Sequence, residues 1–148
     1  MKKVLAVAST GGHWVQLMRL CPVWQDCKVS YITTSKDARV TVPGRLHVVA
    51  DANRWERLKM ALMFLQVAKV LLIERPDVVI TTGAAPGLAA VALGRLVGAK
   101  TIWVDSIANS EELSGSGRIA KRFASVCLTQ WPHLATDKDG VEHWGAVL

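Results

Sequence analysis

Apolar and polar residues follow one another along this chain in the order of strand, turn and helix. Six short runs predict strands, at 3–9, 28–34, 45–50, 78–82, 100–105 and 126–130. The first is apolar on both faces, which predicts a fully buried parallel strand, and the second alternates. Helical spacing between the strands predicts four helices. Three lie at about 13–20, 88–97 and 118–124, and the long second helix runs from an N-cap at Asp51 or Asn53 to about 74. Strands that alternate with helices predict an α/β, Rossmann-like parallel sheet sandwiched by helices.

The C-terminal stretch, 140–148, is predicted to form a turn and a possible strand. The sequence contains no repeat and no linker, and 51% of its residues are hydrophobic, which is enough for a sizeable core. We therefore expect residues 1–148 to form a single domain.

Three predicted strand ends carry candidate chemistry, at 9–13, 81–87 and 105–109. Ligands of open α/β sheets bind beyond the carboxyl ends of the strands. Two of these ends are glycine turns, which suit a diphosphate because it needs close backbone approach and several N–H donors. The turns match neither a dinucleotide fingerprint nor a P-loop. The alternative is that the glycines only permit tight packing and that His13 caps a helix.

Two side chains at these ends are candidate catalytic groups. His13 is the candidate general base, because an imidazole changes its charge near neutral pH. Asp105 ends an apolar strand, where an acid either orients a ligand hydroxyl or caps the following turn. The serine- and glycine-rich segment behind it is either a hydrogen-bonding loop at the site or a solvated loop.

Charge and cysteine usage limit the partners. The net charge of +6 favours anionic partners such as nucleotide sugars or phospholipid head groups, but nucleic acid is not expected because Lys and Arg form no run. The three cysteines lack metal-ligand spacing and are interpreted as reduced core thiols of a cytosolic protein, so no metal and no cofactor is expected. Met-Lys-Lys leads directly into a strand, which does not resemble a signal peptide.

The long second helix has two compatible interpretations. Only Gln66 and Lys69 interrupt its apolar stretch 60–73, which is shorter than the about 20 residues that span a bilayer. Glu56, Lys59 and Gln66 share one polar stripe at helical spacing. The helix either packs on the sheet alone or also inserts its outer side into a membrane interface. The second interpretation assigns the membrane contact to Arg54, Trp55, Arg57 and Lys59.

Five motifs occur in an order that makes the chain similar to a known family. They are Thr10-Gly11-Gly12-His13, Thr82-Gly83-Ala84-Ala85-Pro86-Gly87, Asp105-Ser106-Ile107-Ala108-Asn109, Leu113-Ser114-Gly115-Ser116-Gly117 and Gln130-Trp131-Pro132. Over essentially its whole length the chain resembles the acceptor-binding, membrane-associating subunit of split GT-B glycosyltransferases. That group includes the anchor subunit of the dolichol-linked N-acetylglucosamine transferase and bacterial exopolysaccharide counterparts. More distantly, the chain is similar to the N-terminal half of the transferase that makes the peptidoglycan lipid precursor.

The resemblance implies that this chain binds a polyprenyl-diphosphate-linked sugar at a membrane while a partner subunit binds the UDP-sugar. The residues implied to approach the acceptor diphosphate are Thr10, Gly11, Gly12, Gly83, Ala84 and Gly87. The residues implied to form an acceptor or partner loop are Ser106, Asn109, Ser114, Ser116 and Gly117. Eukaryotic members carry Glu-Ser and a nearby Arg where this chain has Asp105-Ser106 and Asn109, so a bacterial relative fits better. They also carry an N-terminal anchor, so membrane contact here is expected from surface helices, on the cytoplasmic face of the plasma membrane.

The expected function is an inverting glycosyltransferase subunit of polysaccharide biosynthesis that is inactive without its donor-binding partner. The alternatives are a non-catalytic scaffold that recruits a soluble transferase to the membrane, and a free-standing nucleotide-binding module. The residues after about 130 are far fewer than the about 100 that a second domain needs. Partner contact is expected to bury Trp131, Pro132, Trp144 and Leu148. The alternative is that 141–148 folds back as an edge strand of the same sheet.

Overall fold

The sheet of the computed structural model, which describes residues 1–40 and 44–146, is parallel throughout and has seven strands. The strands are β1 (Lys3–Val7), β2 (Lys28–Thr33), β3 (Arg45–Val48), β4 (Val78–Thr81), β5 (Lys100–Val104), β6 (Val126–Thr129) and β7 (Val141–His143). Their order in the sheet is β3-β2-β1-β4-β5-β6-β7, so β4 is the middle strand and β7 an edge strand. The predicted Rossmann-like sheet is confirmed, and the possible C-terminal strand is real over Val141–His143.

Helices cover both faces of the sheet. They are α1 (Gly12–Arg19), α2 (Arg57–Glu74), α3 (Ala84–Leu96) and α4 (Gly115–Ala120), with 3-10 turns at Cys21–Trp24, Lys36–Val40 and Pro132–Leu134. Strand β1 is apolar at successive positions because Leu5 and Val7 pack under α2 and α3, whereas Val4 and Ala6 pack under α1. This arrangement brings the carboxyl ends of β1, β4 and β5 to adjacent points at the centre of the sheet.

Three predicted helix boundaries are wrong. Helix α2 has Glu56 as its N-cap, without a side-chain cap, instead of Asp51 or Asn53. Asn53 builds a separate turn, in which its Oδ1 accepts a hydrogen bond from the Trp55 amide at 2.9 Å. Helix α3 begins four residues earlier than predicted and α4 three residues earlier. The second glycine turn is therefore reduced to Gly83, the N-cap of α3.

Helix α2 packs on the sheet, as predicted, and also presents apolar residues to solvent. Its inner side buries Met63, Val67, Val70 and Leu71. Four exposed leucines recur at helical spacing on its outer side and are called the leucine stripe below: Leu58, Leu62, Leu65 and Leu72. Gln66 does not join the exposed polar residues Glu56 and Lys59, because its Oε1 accepts a hydrogen bond from the Ala50 amide at 2.7 Å. In the part of the chain that the structure describes, no helix combines the length and apolar character needed to cross a bilayer.

Candidate functional site

The two glycine turns interlock at the carboxyl ends of β1 and β4. His13, in the first turn of α1, places its Nδ1 3.1 Å from the carbonyl oxygen of Thr82. In return, the Thr82 hydroxyl donates to the carbonyl oxygen of His13 at 2.6 Å. Reciprocal hydrogen bonds thus join segments that are 69 residues apart in the chain. The structure brings the predicted residues Gly11, Gly12, His13 and Gly83 together at one point.

The contact with Thr82 determines which nitrogen of His13 is basic. A carbonyl oxygen can only accept, so Nδ1 must carry the proton and the neutral ring keeps its lone pair on Nε2. The ring lies against Gly83, where a Cβ atom would come within 2.9 Å of Nδ1. Two features therefore require glycine at position 83: this close contact with the ring and the φ of 129°. The imidazole is half-buried, and the contacts with Thr82 and Gly83 fix its position.

The backbone of the first turn is open, and a residue other than glycine has a positive φ in the second. A Cβ atom built on Gly11 or Gly12 would meet no atom within 4 Å, and Thr10 is exposed. Gly11 has a φ of 75°, and Ala84, which is not a glycine, has a φ of 69°. Left-handed conformations of this kind cluster at ligand-binding turns. The first N–H groups of α1 and α3, which lack helical partners, lie at this same edge of the sheet.

Gly87 lies apart from the open edge. It is buried inside α3, where an added Cβ atom would come within 2.1 Å of the Thr81 hydroxyl oxygen. The contact requires glycine for the close packing of α3 on β4. The structure thus gives Gly87 a packing role, and its approach to a diphosphate stays a prediction.

Asp105 is an internal anchor of the third loop. Only 2% of its surface is exposed. Its Oδ1 accepts hydrogen bonds from the Trp103 indole at 3.0 Å and the Ser114 hydroxyl at 2.6 Å, and its Oδ2 accepts from the Ser114 amide at 2.9 Å. The carboxylate is thus enclosed by donors of its own chain. These contacts give Asp105 a positioning role in the loop, which favours the turn-capping alternative, and its catalytic role stays a prediction.

The serine-rich segment divides into an inner and an outer part. Ser114 is the N-cap of α4 and accepts a hydrogen bond from Gly117, which is buried and packs tightly against Asp105. Ser106 and Asn109 lie on the loop between β5 and α4, whereas Ser116 lines a groove between α4 and α2. The predicted loop residues are therefore not one surface, because Ser114 and Gly117 serve the fold.

Cys127 lies on β6 behind this anchor. Burial, and then the negative charge of Asp105, raise the pKa of its thiol to about 12. The thiol is therefore protonated at neutral pH and is not a nucleophile. Among residues 1–40 and 44–146, no cluster of three or more His, Cys, Asp or Glu side chains could hold a metal ion.

Two buried glutamines join the loop after β5 to α1, the helix that carries His13. The sequence analysis gave neither glutamine a role. Gln16 of α1 donates to the Ser106 hydroxyl at 3.0 Å and accepts from the Gln130 amide at 2.7 Å. Gln130 also donates to the carbonyl oxygen of Asp105 at 2.9 Å. Gln130 belongs to the Gln-Trp-Pro motif, and this motif could have indicated its role. Gln16 lies one helical turn after His13 on the buried side of α1, and a lone polar residue there was the only local indication.

The predicted partner-contact residues have different environments. Trp131 is half-buried and its indole donates to the carbonyl oxygen of Ile107 at 2.7 Å, so it supports the loop of its own chain. Pro132 is exposed, and Trp144, just after β7, is 65% exposed. Trp144 borders an apolar groove of about 300 Å³ with Leu20. Leu148 lies outside the described residues.

The predicted membrane residues precede and begin α2, and all four are exposed: Arg54, Trp55, Arg57 and Lys59. The Arg54 guanidinium lies 4.8 Å from the centre of the Trp55 ring, a cation–π contact, and Trp55 is 77% exposed. Leu58, the first residue of the leucine stripe, lies between Arg57 and Lys59 and is 90% exposed. Basic and apolar side chains thus share the outer surface of this helix.

The fold has counterparts among solved structures. MurG from Acinetobacter baumannii matches with a TM-score of 0.76 at 18% identity, over 97% of this chain and 45% of that chain. UDP-N-acetylglucosamine 2-epimerase from Rickettsia bellii matches with a TM-score of 0.70 at 16% identity, over 99% of this chain and 45% of that chain. The chain thus spans less than half the length of either protein. Likeness at these identities concerns the fold, which is that of the N-terminal half of a GT-B glycosyltransferase.

The sequence comparison identifies the family. No curated protein matches the chain. The family model described as "Oligosaccharide biosynthesis protein Alg14 like" matches residues 48–147, which is well over half of the sequence. That stretch contains the second glycine turn, the Asp105 loop and the Gln-Trp-Pro motif. The chain belongs to the Alg14-like family of oligosaccharide biosynthesis proteins, which confirms its resemblance to the membrane-associating subunits of GT-B glycosyltransferases.

Proposed function

We propose that this chain is the acceptor-binding component of a two-component UDP-sugar glycosyltransferase. In this proposal it binds a polyprenyl-diphosphate-linked sugar, which the assembled enzyme extends during polysaccharide biosynthesis. The observation that carries the proposal is the interlocking of the two glycine turns through His13 and Thr82. The family match supports the same function, because the family is described by oligosaccharide biosynthesis.

The open backbone of the first turn, next to the start of α3, suits the acceptor diphosphate. Thr10, Gly11 and Gly12 leave space beside the start of α1, and Gly83 with Ala84 opens α3. The N–H groups of two helix starts, together with the positive ends of their dipoles, favour an anion at this edge. Gly87 is left out of this set because it lies inside α3 and packs against the Thr81 side chain of β4.

The chemistry proposed is an inverting transfer. The acceptor hydroxyl oxygen attacks the anomeric carbon of the UDP-sugar, a new glycosidic bond forms, and the bond from that carbon to UDP breaks with its electrons leaving on UDP. Nε2 of His13 takes the proton of the attacking hydroxyl, because Nδ1 is engaged with Thr82. No metal or cofactor takes part in this scheme.

The partner proposed is a separate donor-binding subunit that holds the UDP-sugar. Its expected position faces the carboxyl edge of the sheet, where the loop after β5 carries the half-buried residues Ser106 and Asn109. Pro132 and Trp144 expose apolar surface on the same side of β6 and β7, beside the apolar groove bordered by Trp144. Exposed apolar surface of this kind favours protein contact.

Reconstitution tests this function. The purified chain should transfer no sugar from any UDP-sugar to a polyprenyl-diphosphate-linked acceptor, and transfer should begin when a chain resembling the other GT-B half is added. The measurement is formation of extended lipid-linked sugar with each component omitted in turn. Robust turnover by this chain alone, or by the partner alone, would refute the two-component function.

The proposed location is the cytoplasmic face of the plasma membrane, with α2 as the contact surface. Basic residues and Trp55 at the start of the helix suit anionic head groups and the interface. The leucine stripe suits the acyl region just below. This orientation would hold the acceptor edge of the sheet close to the lipid-linked substrate.

Reversing the charge at the start of α2 should release the chain from anionic vesicles. Each basic residue near such a surface contributes about 1 kcal/mol, so Arg54→Glu with Arg57→Glu should weaken binding at least about tenfold. Flotation with vesicles at rising salt concentration measures the effect. The matched control is Lys2→Glu with Lys28→Glu, the same charge change at the opposite edge of the sheet. If the α2 double variant floats as well as the parent, the membrane-binding surface is not at the start of α2.

A further inference from the structure

A groove beside the second glycine turn is not used by the proposed chemistry. It is a groove of about 470 Å³ between the start of α2, the start of α3 and α4, and its volume lies within the about 300–1,000 Å³ typical of small-molecule sites. Its walls are mainly apolar and include Met60, Phe64, Leu88 and Ile119.

The groove has one polar end. Arg54 and Asn53 form its rim on the α2 side, and Ala85, in the first turn of α3, lines it on the other. Ala85 is two residues after Gly83, which contacts the His13 ring. The groove therefore starts beside the second glycine turn, next to the guanidinium group of Arg54.

The apolar end of the groove is accessible. Ile119 is 49% exposed although it lines the groove, so its side chain is available to cover an apolar ligand. Met60 and Phe64 enter the groove from the same helix that carries the leucine stripe on its outer side. An amphiphile with an anionic head and a branched hydrocarbon chain fits this groove. Its head would lie at the cation and the helix start, and its chain would follow the apolar walls toward the helix that carries the leucine stripe.

We propose that the groove holds the first isoprene units of the lipid acceptor, next to its diphosphate. The inference rests on the proposed function and adds a lipid-chain subsite to it. It makes the prenyl chain a part of what the protein recognises, in addition to the diphosphate and the sugar. Binding energy from this chain would align the diphosphate at the turns, with the sugar hydroxyl toward His13.

Calorimetric titration of the 148-residue chain with soluble probes tests the subsite. The probes are inorganic diphosphate, farnesyl diphosphate and farnesol. Farnesyl diphosphate should bind at least about tenfold more tightly than inorganic diphosphate, because burying several apolar carbons adds to the head-group contacts. Ile119→Gln, which keeps the net charge, should weaken farnesyl diphosphate binding about fivefold and leave inorganic diphosphate binding unchanged.

The matched control is Phe123→Gln, one turn beyond Ile119 on the same segment and 39% exposed, which should change neither affinity. Equal affinity for the two diphosphates, an unaltered affinity in Ile119→Gln, or binding of neither probe would overturn the subsite. If inorganic diphosphate alone binds, the proposed acceptor function remains supported while the groove is refuted. If farnesol binds as tightly as farnesyl diphosphate and inorganic diphosphate does not bind, the groove stands and the diphosphate function fails.

Discussion

Replacing His13 by alanine should lower kcat/KM of the reconstituted enzyme by about a hundredfold or more, with the chain still folded. A positioned general base contributes roughly 10²–10⁴ to a rate, and no other titratable side chain in the described part of the interlocked turns is placed to accept the acceptor proton. The cost to stability should be small, about 1 kcal/mol, because one half-buried hydrogen bond to Thr82 is lost. Initial rates with both components present, alongside urea unfolding, measure the two effects.

His13→Asn separates catalysis from positioning. An asparagine amide can donate to the Thr82 carbonyl as Nδ1 does, but it has no basic nitrogen. The asparagine variant should therefore recover the stability of the parent and remain as inactive as the alanine variant. If the asparagine variant has the rate of the parent, His13 only joins the two turns. The base then lies on the partner, which favours the scaffold alternative.

The strands were predictable because the information is local. Each central strand is an apolar run, and a run such as Val4–Val7 must be covered on both faces, which only helices on both sides of a parallel sheet provide. The order of the chain then brings the ends of β1, β4 and β5 together. For the same reason the candidate positions of His13 and Gly83 followed from the sequence.

The helix starts were less predictable because several local signals compete there. Asn53 is a favourable N-cap, yet its side chain forms a hydrogen bond with the Trp55 amide and leaves α2 to begin later. Gly87 has low helix propensity, which favoured a turn, but close packing on Thr81 outweighs that cost of about 1 kcal/mol. Ala84 adopts a positive φ without the glycine or asparagine that usually signals one.

The polar network behind the site could not be predicted because its contacts are distant in sequence. Gln16 and Gln130 are 114 residues apart, and either alone resembles an ordinary polar residue. Asp105 illustrates the same limit, since a strand-ending acid is compatible with both catalysis and capping. Its low exposure and its partners, Trp103 and Ser114, favour capping, and both exist only in the folded chain.

Replacing Asp105 by alanine should lower the free energy of unfolding by about 3 kcal/mol or more. The substitution leaves the Trp103 indole and the hydroxyl and amide of Ser114 without their acceptor, and unsatisfied buried donors cost about 1–3 kcal/mol each. Because Ser114 also caps α4 through Gly117, the loss should extend to that helix. Urea unfolding of the isolated chain measures the effect.

Asp77→Ala provides the matched control for this positioning role. Asp77 is exposed and accepts one hydrogen bond, from the Lys3 amide at 2.9 Å, so its removal should cost no more than about 1 kcal/mol. Asp105→Asn keeps two acceptor lone pairs for the indole and the hydroxyl and should lie between the parent and the alanine variant in stability. In the reconstituted enzyme its folded fraction should retain kcat within about tenfold, because the carboxylate acts through the loop rather than on the substrate. An asparagine variant as stable as the parent but slower by about 10³ would instead make Asp105 a catalytic residue, since that is the pattern left when a proton acceptor alone is removed.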